Sequence, residues 1–521
     1  MKKQPVWFDA RPLPDSGSLR GRITVDVLVV GAGITGLTTA YLLHEAGCRV
    51  ALVDRQDLAR GETAHTTAHL TFVTDSRLQD LVGRFGKTTA QAGWDAGVCA
   101  IRQIEKLAGE LACDCDLRRV PGYLVAAPAH GGFDREILER EAALARELGF
   151  AAEFQKDAPI FGRPAVCFPD QAKFHPLKYL RGLATALVDR GVRLFSHTDG
   201  SGVDGENHEL KTREGTIAYD VLVAATHVPI RGERGAWQAA AFQTKLAGYS
   251  TYALEARVEG AVESLFWDTA DPYTYHRFDI RDGEGSVIIG GEDHKTGQIR
   301  DTEACYARLE HTLRQQWPSA KLRHRWSGQV WETPDGLPYI GRVGDRQYLA
   351  TGFAGNGMTL GTFSAMLLRD LIADRSNPCE KIFAPGRICL SATGTYLNEN
   401  RDFPLGFLKS RRKTRPEAPV LARGVGEVVE TKAGKRAVYR DAEGRQTVLS
   451  PVCPHMGCLV GWNPAEQTWD CPCHGSRFAA TGEVLSGPAE FRLDPLPCDG
   501  LEEGESAEDS RREDAAKVRD R

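Results

Sequence analysis

Three features that would place a protein in a special class are missing from these 521 residues. No uninterrupted apolar stretch approaches the roughly 20 residues that a membrane-spanning helix needs. No apolar segment follows the two lysines near the start, so we expect no secretory signal there. The 65 Lys and Arg side chains are balanced by 70 Asp and Glu, which leaves no overall field that favours nucleic acid. We therefore expect a soluble cytoplasmic protein with no transmembrane segment and no nucleic-acid partner.

The cysteines are too few for a disulfide scaffold in a chain of this length, but they are unevenly placed. Eight of the 13 are scattered over the first 390 residues. Four others lie close together near the C-terminus: Cys453, Cys458, Cys471 and Cys473. In a cytosolic protein such clustering usually serves metal or redox chemistry.

Composition and length predict several globular domains. Hydrophobic residues make up 42% and charged residues 26%, which are ordinary values for a soluble protein. The patterns predict an α/β body over 1–390, in which helical sequence dominates 80–148. Alternating apolar and polar residues over 248–290 predict an antiparallel sheet inserted at about 240–320. Three prolines and a basic run predict a linker over 391–419, and short β-rich pieces predict a small all-β domain over 420–500. Charged and small residues predict a disordered tail over 501–521.

A βαβ unit in the first sixty residues predicts a nucleotide site. A buried strand at 26–30 leads into the sequence GAGITG, then a helix and a second strand. Gly31 permits a tight turn, Gly33 lets backbone approach a pyrophosphate, and Gly36 lets the helix pack closely on the strand. Asp54 would hydrogen-bond a ribose hydroxyl. A bare structural turn is the alternative, and this motif alone does not decide between FAD and NAD.

A second glycine-rich segment lies at the far end of the α/β body. Residues 333–341 read TPDGLPYIG and residues 350–361 read ATGFAGNGMTLG. With the first turn, they resemble the FAD motifs of D-amino-acid-oxidase-like flavoenzymes, the family that includes glycine, sarcosine and glutamylputrescine oxidases. The resemblance covers roughly 25–374 and implies a Rossmann-like FAD-binding domain of the glutathione-reductase type, with the inserted sheet as substrate domain. The implied FAD-binding segments are about 22–90, 150–235 and 320–390.

The resemblance also implies the residues that contact FAD. These are Gly31, Gly33, Gly36, Asp54 and Arg55 in the first fingerprint, Thr66, Thr67 and Ala68 in the loop 61–68, and Gly352, Gly355, Gly357, Met358 and Thr359 in the final turn. The family's loop binds the pyrophosphate and passes the flavin, and its inserted sheet faces the flavin. That placement implies catalytic roles for Tyr275, His276 and Arg277, with Arg277 pairing with a substrate carboxylate. Exposed polar residues on a strand are the alternative.

The cysteine cluster carries a specific metal-ligand pattern. The segments CPHMGC at 453–458 and CPCHGS at 471–476 contain two Cys and two His. They resemble a Rieske [2Fe-2S] site, in which two thiolates hold one iron and two imidazoles hold the other. The ligands by this match are Cys453, His455, Cys471 and His474. A structural zinc is the alternative, but the spacing differs from that of zinc fingers.

The closest pattern is that of cytochrome-bc-type Rieske proteins, which implies further features. Cys458 and Cys473 fall where these proteins carry a disulfide that joins the two cluster loops. Ser476 matches a hydroxyl that donates to a bridging sulfide. Phe478 replaces the usual Tyr, and the lost hydroxyl should lower the reduction potential. Residues 487–489 match the loop that shields the cluster.

Together the two centres predict an electron-transfer enzyme. A flavin takes two electrons from an organic substrate and releases them singly, and a Rieske cluster carries one. We predict an FAD-dependent dehydrogenase that oxidises an amine or amino-acid-like C–N bond and passes electrons through the cluster to an acceptor protein or a quinone. A Rieske oxygenase is disfavoured, because no histidine follows His474 to build its mononuclear iron site. A non-enzymatic redox sensor or electron carrier, or a flavoprotein with a non-amine substrate, remains the alternative.

Overall fold

The computed structural model describes residues 1–14, 17–128, 131–229, 242–400, 415–416, 421–432 and 434–497. Contacts divide the chain into two units: Met1–Ile299 with Glu303–Asp402, and Arg300–Thr302 with Phe403–Arg521. The first unit extends past the predicted boundary at 390. Residues 393–400 are helical, and Glu399 forms an ion pair with Lys295 at 3.0 Å. The predicted tail and nearly all of the basic run lie outside the described residues.

The first unit alternates helices and strands. Its helices are α1 (Ile34–Glu45), α2 (Leu78–Phe85), α3 (Lys87–Glu110), α4 (Gly131–Glu147), α5 (Pro176–Asp189), α6 (Glu303–Gln316), α7 (Gly357–Ile372) and α8 (Glu380–Phe383). Its strands are β1 (Gly21–Val30), β2 (Val50–Val53), β3 (His69–Leu70), β4 (Arg118–Val125), β5 (Glu153–Gln155), β6 (Ala165–Lys173), β7 (Arg193–Phe195), β8 (Val203–Asp204), β9 (Glu209–Lys211), β10 (Gly215–Ala224), β11 (Ala247–Arg257), β12 (Ser264–Asp268), β13 (Tyr275–Arg281), β14 (Glu284–Lys295), β15 (Lys321–Glu332), β16 (Tyr339–Gly344) and β17 (Gln347–Thr351).

The predicted βαβ unit forms the centre of a largely parallel sheet. The strand order is β16-β17-β10-β1-β2-β7, and β1 runs parallel to both of its neighbours. Residues 27–30 of β1 are buried, because a strand covered on both faces reads as a continuous apolar run. Helix α1 therefore begins at the carboxyl end of the central strand, where open α/β sheets bind their ligands.

The second sheet is mixed, mostly antiparallel, and larger than the predicted insert. Its order is β15-β11-β14-β13-β12-β4-β6-β3. The alternation that predicted strands between 248 and 290 is confirmed by β11 to β14. Strand β4 interrupts the segment 80–148, which was expected to be helical, so that expectation was wrong there. Strand β15 follows the expected end of the insert and pairs with β11 along its whole length.

The second unit is a small all-β domain. Its strands are β18 (Arg415–Pro416), β19 (Val425–Thr431), β20 (Gly434–Arg440), β21 (Gln446–Leu449), β22 (Gly461–Asn463), β23 (Thr468–Asp470), β24 (Arg477–Ala479) and β25 (Val484–Ser486). Within the described residues they form two four-stranded sheets, β18-β19-β20-β21 and β22-β23-β24-β25. Trp469, Phe478 and Leu493 form a fully buried core beside Cys453 and Cys471. Among the helices of the described ranges, none has the length and apolar character to cross a membrane.

Candidate functional site

The glycine turn between β1 and α1 has room for hydrogen atoms only. Gly31 has a φ of +102°, and a Cβ on it would lie 2.3 Å from the carbonyl oxygen of Ala225. A Cβ on Gly36 would lie 1.8 Å from the carbonyl oxygen of Gly31, and one on Gly33 would lie 2.7 Å from Thr63 Oγ1. This cradle is the one a dinucleotide pyrophosphate requires at a helix N-terminus, so the residues fit the predicted cofactor.

Asp54 shapes the turn in addition to its predicted contact with ribose. Its Oδ2 accepts a hydrogen bond from the Ala32 N–H at 2.7 Å, and its Oδ1 accepts one from Gln56 at 2.9 Å. Burial raises the pKa of Asp54. Arg55 follows it and is half-buried. The ribose contact of Asp54 stays a prediction.

The final glycine turn contacts residues 71–75, which follow the loop 61–68, called the flavin loop below. The Gly355 N–H donates to Asp75 Oδ2 at 2.5 Å, and Thr359 Oγ1 donates to the Thr71 carbonyl at 3.0 Å. Gly357 begins α7 and Met358 is buried. Gly352 has a φ of +77°. The structure thus brings the first and last predicted FAD segments together at the start of two helices.

Sequence reasoning missed three residues that hold this junction. Asn356 Nδ2 donates to the Val73 carbonyl at 2.9 Å, and its Oδ1 accepts from the Asp75 N–H at 3.2 Å. Thr63 Oγ1 accepts from the Ile34 N–H, the first residue of α1, at 3.2 Å. Thr63 and Asn356 lie inside the segments 61–68 and 350–361 that carry the resemblance, but neither was singled out there. Asp75 belongs to no local motif, so no signal in the sequence marked it.

The guanidinium of Arg277 is occupied by protein groups, an arrangement that does not favour its predicted pairing with a substrate carboxylate. Its side chain is fully buried and pairs with Asp279 through two hydrogen bonds of 3.0 and 3.1 Å. Its Nη1 donates to the carbonyls of Thr67, Ala68 and Phe174. The guanidinium therefore binds three backbone carbonyl oxygens and the Asp279 carboxylate.

His276 is also a core residue. Its ring lies 5.0 Å from that of Phe161 and 6.2 Å from that of Trp317. Burial lowers its pKa to about 3, so the ring is neutral at physiological pH. Because side chains alternate along a strand, His276 faces away from Tyr275 and Arg277. This core placement gives its predicted catalytic role no support.

Tyr275 lies in a cluster of tyrosines and acids, which we call the acidic cluster and define as Asp75, Tyr273, Tyr275, Asp293 and Glu332. Tyr273 Oη donates to Asp75 Oδ1 at 3.1 Å, and the two tyrosine ring centroids lie 5.6 Å apart. Tyr275 Oη lies 2.8 Å from Thr251 Oγ1. The ring of Tyr275 covers Gly290, where a Cβ would lie 2.2 Å from the ring.

All three acids of the cluster have raised pKa values, and burial is the main cause for each. Burial and the neighbouring Asp75 raise the pKa of Asp293 to about 7. Burial, Asp75 and Asp293 raise the pKa of Glu332 to about 8. All three acids nevertheless keep surface accessible to water. Partly buried carboxyl groups with raised pKa values are common among catalytic and binding residues.

The two cysteine–histidine loops share one backbone conformation. In each loop the glycine at the fifth position has a positive φ, 75° for Gly457 and 70° for Gly475. In each loop that glycine's N–H donates to the carbonyl of the first cysteine at 3.0 Å, and the N–H of the first cysteine donates to the carbonyl of the sixth residue. The two loops therefore repeat one backbone conformation and place Cys453 and Cys471 at equivalent positions, while the histidine is the third residue of the first loop and the fourth of the second.

The four predicted ligands converge between these loops. Cys453 and Cys471 are each 1% exposed, and a hydrogen bond between the thiols lowers the pKa of Cys453 and raises that of Cys471. The rings of His455 and His474 lie 4.9 Å apart between centroids. Burial lowers the pKa of His474 to about 4, which keeps the imidazole in the neutral form that binds metal. Two thiols and two imidazoles fit the donor set of a Rieske cluster.

Three further features that the resemblance named lie beside the ligands, and the contact of Ser476 with a bridging sulfide stays a prediction. Cys458 and Cys473 form a disulfide that joins the loops. Ser476 hydrogen-bonds the Cys453 thiol, and its Oγ accepts from the Ala489 N–H at 3.1 Å. A Cβ on Gly487 would lie 2.5 Å from the Cα of Ser476, so the segment 487–489 lies directly on the second loop.

Comparisons with known proteins divide the chain in the same way. Residues 26–371 match the family described as FAD dependent oxidoreductase, and residues 418–497 match the Rieske [2Fe-2S] domain. The chain is 31% identical over 505 residues to YhfW of Bacillus subtilis (strain 168), whose name describes a Rieske 2Fe-2S iron-sulfur protein, and the match covers 95% of this chain and 98% of that protein. Among solved structures, glycine oxidase from Geobacillus kaustophilus has a TM-score of 0.58 at 19% identity and covers 70% of this chain and 99% of its own. L-proline dehydrogenase from P. horikoshii has a TM-score of 0.56 at 18% identity and covers 72% and 98%.

Proposed function

The chain belongs to the family of FAD-dependent oxidoreductases and carries a C-terminal Rieske [2Fe-2S] domain, and from this premise we propose that it is a dehydrogenase for an amine or amino-acid-like C–N bond. Electrons leave the substrate at FAD and pass through the cluster to an external protein or quinone. FAD supplies the two-electron oxidation and the cluster supplies single-electron transfer.

The placement of the acidic cluster supports this proposal. The same Asp75 that accepts from Gly355 in the final FAD turn also accepts from Tyr273. The cluster therefore lies where the turn and the substrate sheet meet. Tyrosines and titratable acids grouped beside the predicted cofactor segments favour a substrate site over an electron carrier without a substrate.

The charges favour an amine over an amino acid. The neighbours that raise the pKa values of Asp293 and Glu332 are themselves carboxylates. Two cations on the same strands are already paired, Arg277 with Asp279 and Lys295 with Glu399. A substrate ammonium group is attracted to ionised carboxylates at this position, whereas a substrate carboxylate is repelled.

The same acids suit the proton transfer that the oxidation requires. A protonated amine has no lone pair, so it must lose a proton before hydride leaves the adjacent carbon. A carboxyl group with a pKa near 7 or 8 binds the ammonium form when ionised and accepts the proton with little energetic cost. Glu332 and Asp293 are the candidates for this role.

An anaerobic screen with matched substrate pairs tests the proposal. Putrescine and its carboxylated counterpart ornithine, and ethylamine and alanine, are mixed with the oxidised holoenzyme. We expect the amines to bleach the flavin absorbance faster than their carboxylated counterparts and to produce the rhombic electron paramagnetic resonance (EPR) signal of a reduced Rieske cluster. Flavin that bleaches while the cluster stays oxidised would contradict the electron path, and a panel that bleaches no flavin would favour the non-enzymatic alternative.

Replacement of Glu332 by glutamine should flatten the pH dependence of amine oxidation. The wild-type kcat/KM is expected to rise between pH 6 and pH 9, because Asp293 and Glu332 ionise near pH 7 and 8 and then attract the ammonium group. Near pH 9 the variant should be about tenfold slower, an effect of about 1.4 kcal/mol. Near pH 6 the variant and the wild type should agree within about twofold, because Glu332 is then neutral in both.

A surface variant controls for the loss of a carboxylate elsewhere. Glu259 is exposed, and Glu259→Gln should reproduce the wild-type pH profile. The role of Glu332 would be excluded if both variants shared one profile from pH 6 to pH 9.

A further inference from the structure

Four successive carbonyl oxygens of the flavin loop are held by side chains from outside the loop. Trp326 Nε1 donates to the His65 carbonyl at 2.8 Å, and Trp7 Nε1 donates to the Thr66 carbonyl at 2.7 Å. Arg277 Nη1 donates to the carbonyls of Thr67 and Ala68 at 3.2 and 3.0 Å. We call Trp7, Arg277 and Trp326 the carbonyl clamp.

The members of the clamp are themselves rigid. Trp7 is 1% exposed and Trp326 is 3% exposed. The Arg277 guanidinium lies 4.9 Å from the ring centroid of Trp7, and the ring of His175 meets Trp7 edge-on at 5.1 Å. Asp279 fixes the other edge of the guanidinium. Burial and these contacts therefore fix the positions of the two indole N–H groups and of the guanidinium. Donors fixed in this way can hold a binding loop in place.

The loop needs external support because its backbone is strained. Ala68 has a φ of +58°, a conformation that residues with a Cβ adopt only where the surroundings enforce it. Its N–H donates to Thr66 Oγ1 at 2.9 Å. Removal of a clamp donor would leave a buried carbonyl oxygen without its partner and release this conformation.

We propose that Trp7, Arg277 and Trp326 are positioning residues for FAD. They fix the loop before the cofactor arrives, so that binding does not have to order it. Trp7 lies in the 3-10 helix Val6–Asp9, ahead of the residues that match the FAD family. The N-terminal segment is thereby a working part of the cofactor site. This role concerns cofactor binding and holds for any substrate.

Three tryptophan-to-phenylalanine variants test the clamp. Trp7→Phe and Trp326→Phe each remove one N–H donor to the loop and keep an aromatic ring. Trp331→Phe is the matched control, since Trp331 is 2% exposed and its Nε1 has no hydrogen-bond partner among the residues that the structure describes. The dissociation constant of FAD is measured by titration of the apoprotein. We expect about tenfold weaker binding for the two clamp variants and a change below about twofold for the control.

A second measurement separates positioning from general stability. Melting temperatures are recorded for each full-length variant with and without FAD. We expect the clamp apoproteins to melt slightly below the control, because each loses a hydrogen bond. The FAD-induced increase in melting temperature should be smaller in the clamp variants than in the control. We also expect altered fine structure in the visible band of bound flavin and an unchanged Rieske EPR spectrum. Equal FAD affinities in all three variants would overturn the proposal. An FAD-induced increase in melting temperature that is the same in the clamp variants as in the control would overturn it as well.

Discussion

Replacement of Cys453 by serine is expected to abolish the cluster and to stop electron delivery to a one-electron acceptor, while FAD reduction continues. Cys453 is 1% exposed and hydrogen-bonds with Cys471 and Ser476 between the cluster loops. Serine cannot supply the thiolate that iron requires. Iron and acid-labile sulfide should fall to background and the Rieske EPR signal should vanish. Steady-state turnover with the acceptor should drop by more than about 100-fold, because the second centre of the proposed path is gone.

The rate of flavin bleaching in a single anaerobic turnover distinguishes a broken path from a damaged enzyme. It should stay within about twofold of the wild-type rate, because the acidic cluster and the predicted FAD segments belong to the first unit, whereas Cys453 belongs to the second. Cys99→Ser is the control, since this exposed thiol is in α3 and outside the disulfide. A Cys453→Ser protein that retained the rhombic signal would show that the ligand set is misassigned. One that lost the signal but kept full turnover would show that electrons leave FAD by another route.

The parts of the candidate sites whose local geometry the sequence indicated are short and contiguous. The turn at 31–36 lies between a strand and a helix that neighbour it in the chain, so local spacing determines its shape. The loops 453–458 and 471–476 each close on themselves through a bond from the first residue to the sixth. In such segments the same short stretch of sequence determines both the backbone conformation and the functional residues.

The prediction of catalytic residues was the weakest, because it took three adjacent residues of a strand together although neighbouring side chains point to opposite faces. Tyr275, His276 and Arg277 are adjacent in sequence, but alternation sends His276 into the core beside Phe161. Arg277 shares a face with Asp279, two residues on, and that carboxylate neutralises it. The pattern Arg-x-Asp on a strand was the available signal that Arg277 was already paired.

The acidic cluster could not be predicted because its members come from distant segments. Asp75 follows the flavin loop, Asp293 lies in β14 and Glu332 ends β15. Sheet pairing brings them together, and the pKa shifts arise from the burial that this assembly creates. The same non-local pairing explains why β4, in a stretch that was expected to be helical, became a strand: its propensity was decided by the strands beside it.

Replacement of Gly36 by alanine should remove FAD from the protein. The added Cβ would lie 1.8 Å from the carbonyl oxygen of Gly31 and 2.9 Å from its carbon. Both atoms are backbone, so the clash is relieved only if α1 moves away from β1 and the cradle at its N-terminus opens. FAD affinity should fall by more than about 100-fold, a change of about 2.8 kcal/mol. The ratio of flavin to protein absorbance in the purified variant measures this loss.

Gly83→Ala provides the matched comparison, because Gly83 is inside α2 and a Cβ there meets no atom within 4 Å. Alanine in a helix interior stabilises it by roughly 0.5–1 kcal/mol relative to glycine, so this variant should keep its full complement of FAD. Iron content should be unchanged in both variants, since the cluster loops lie in the second unit. If Gly36→Ala bound FAD as tightly as Gly83→Ala, close packing of α1 on β1 would not be the condition for cofactor binding, and the site would have to be placed elsewhere in the first unit.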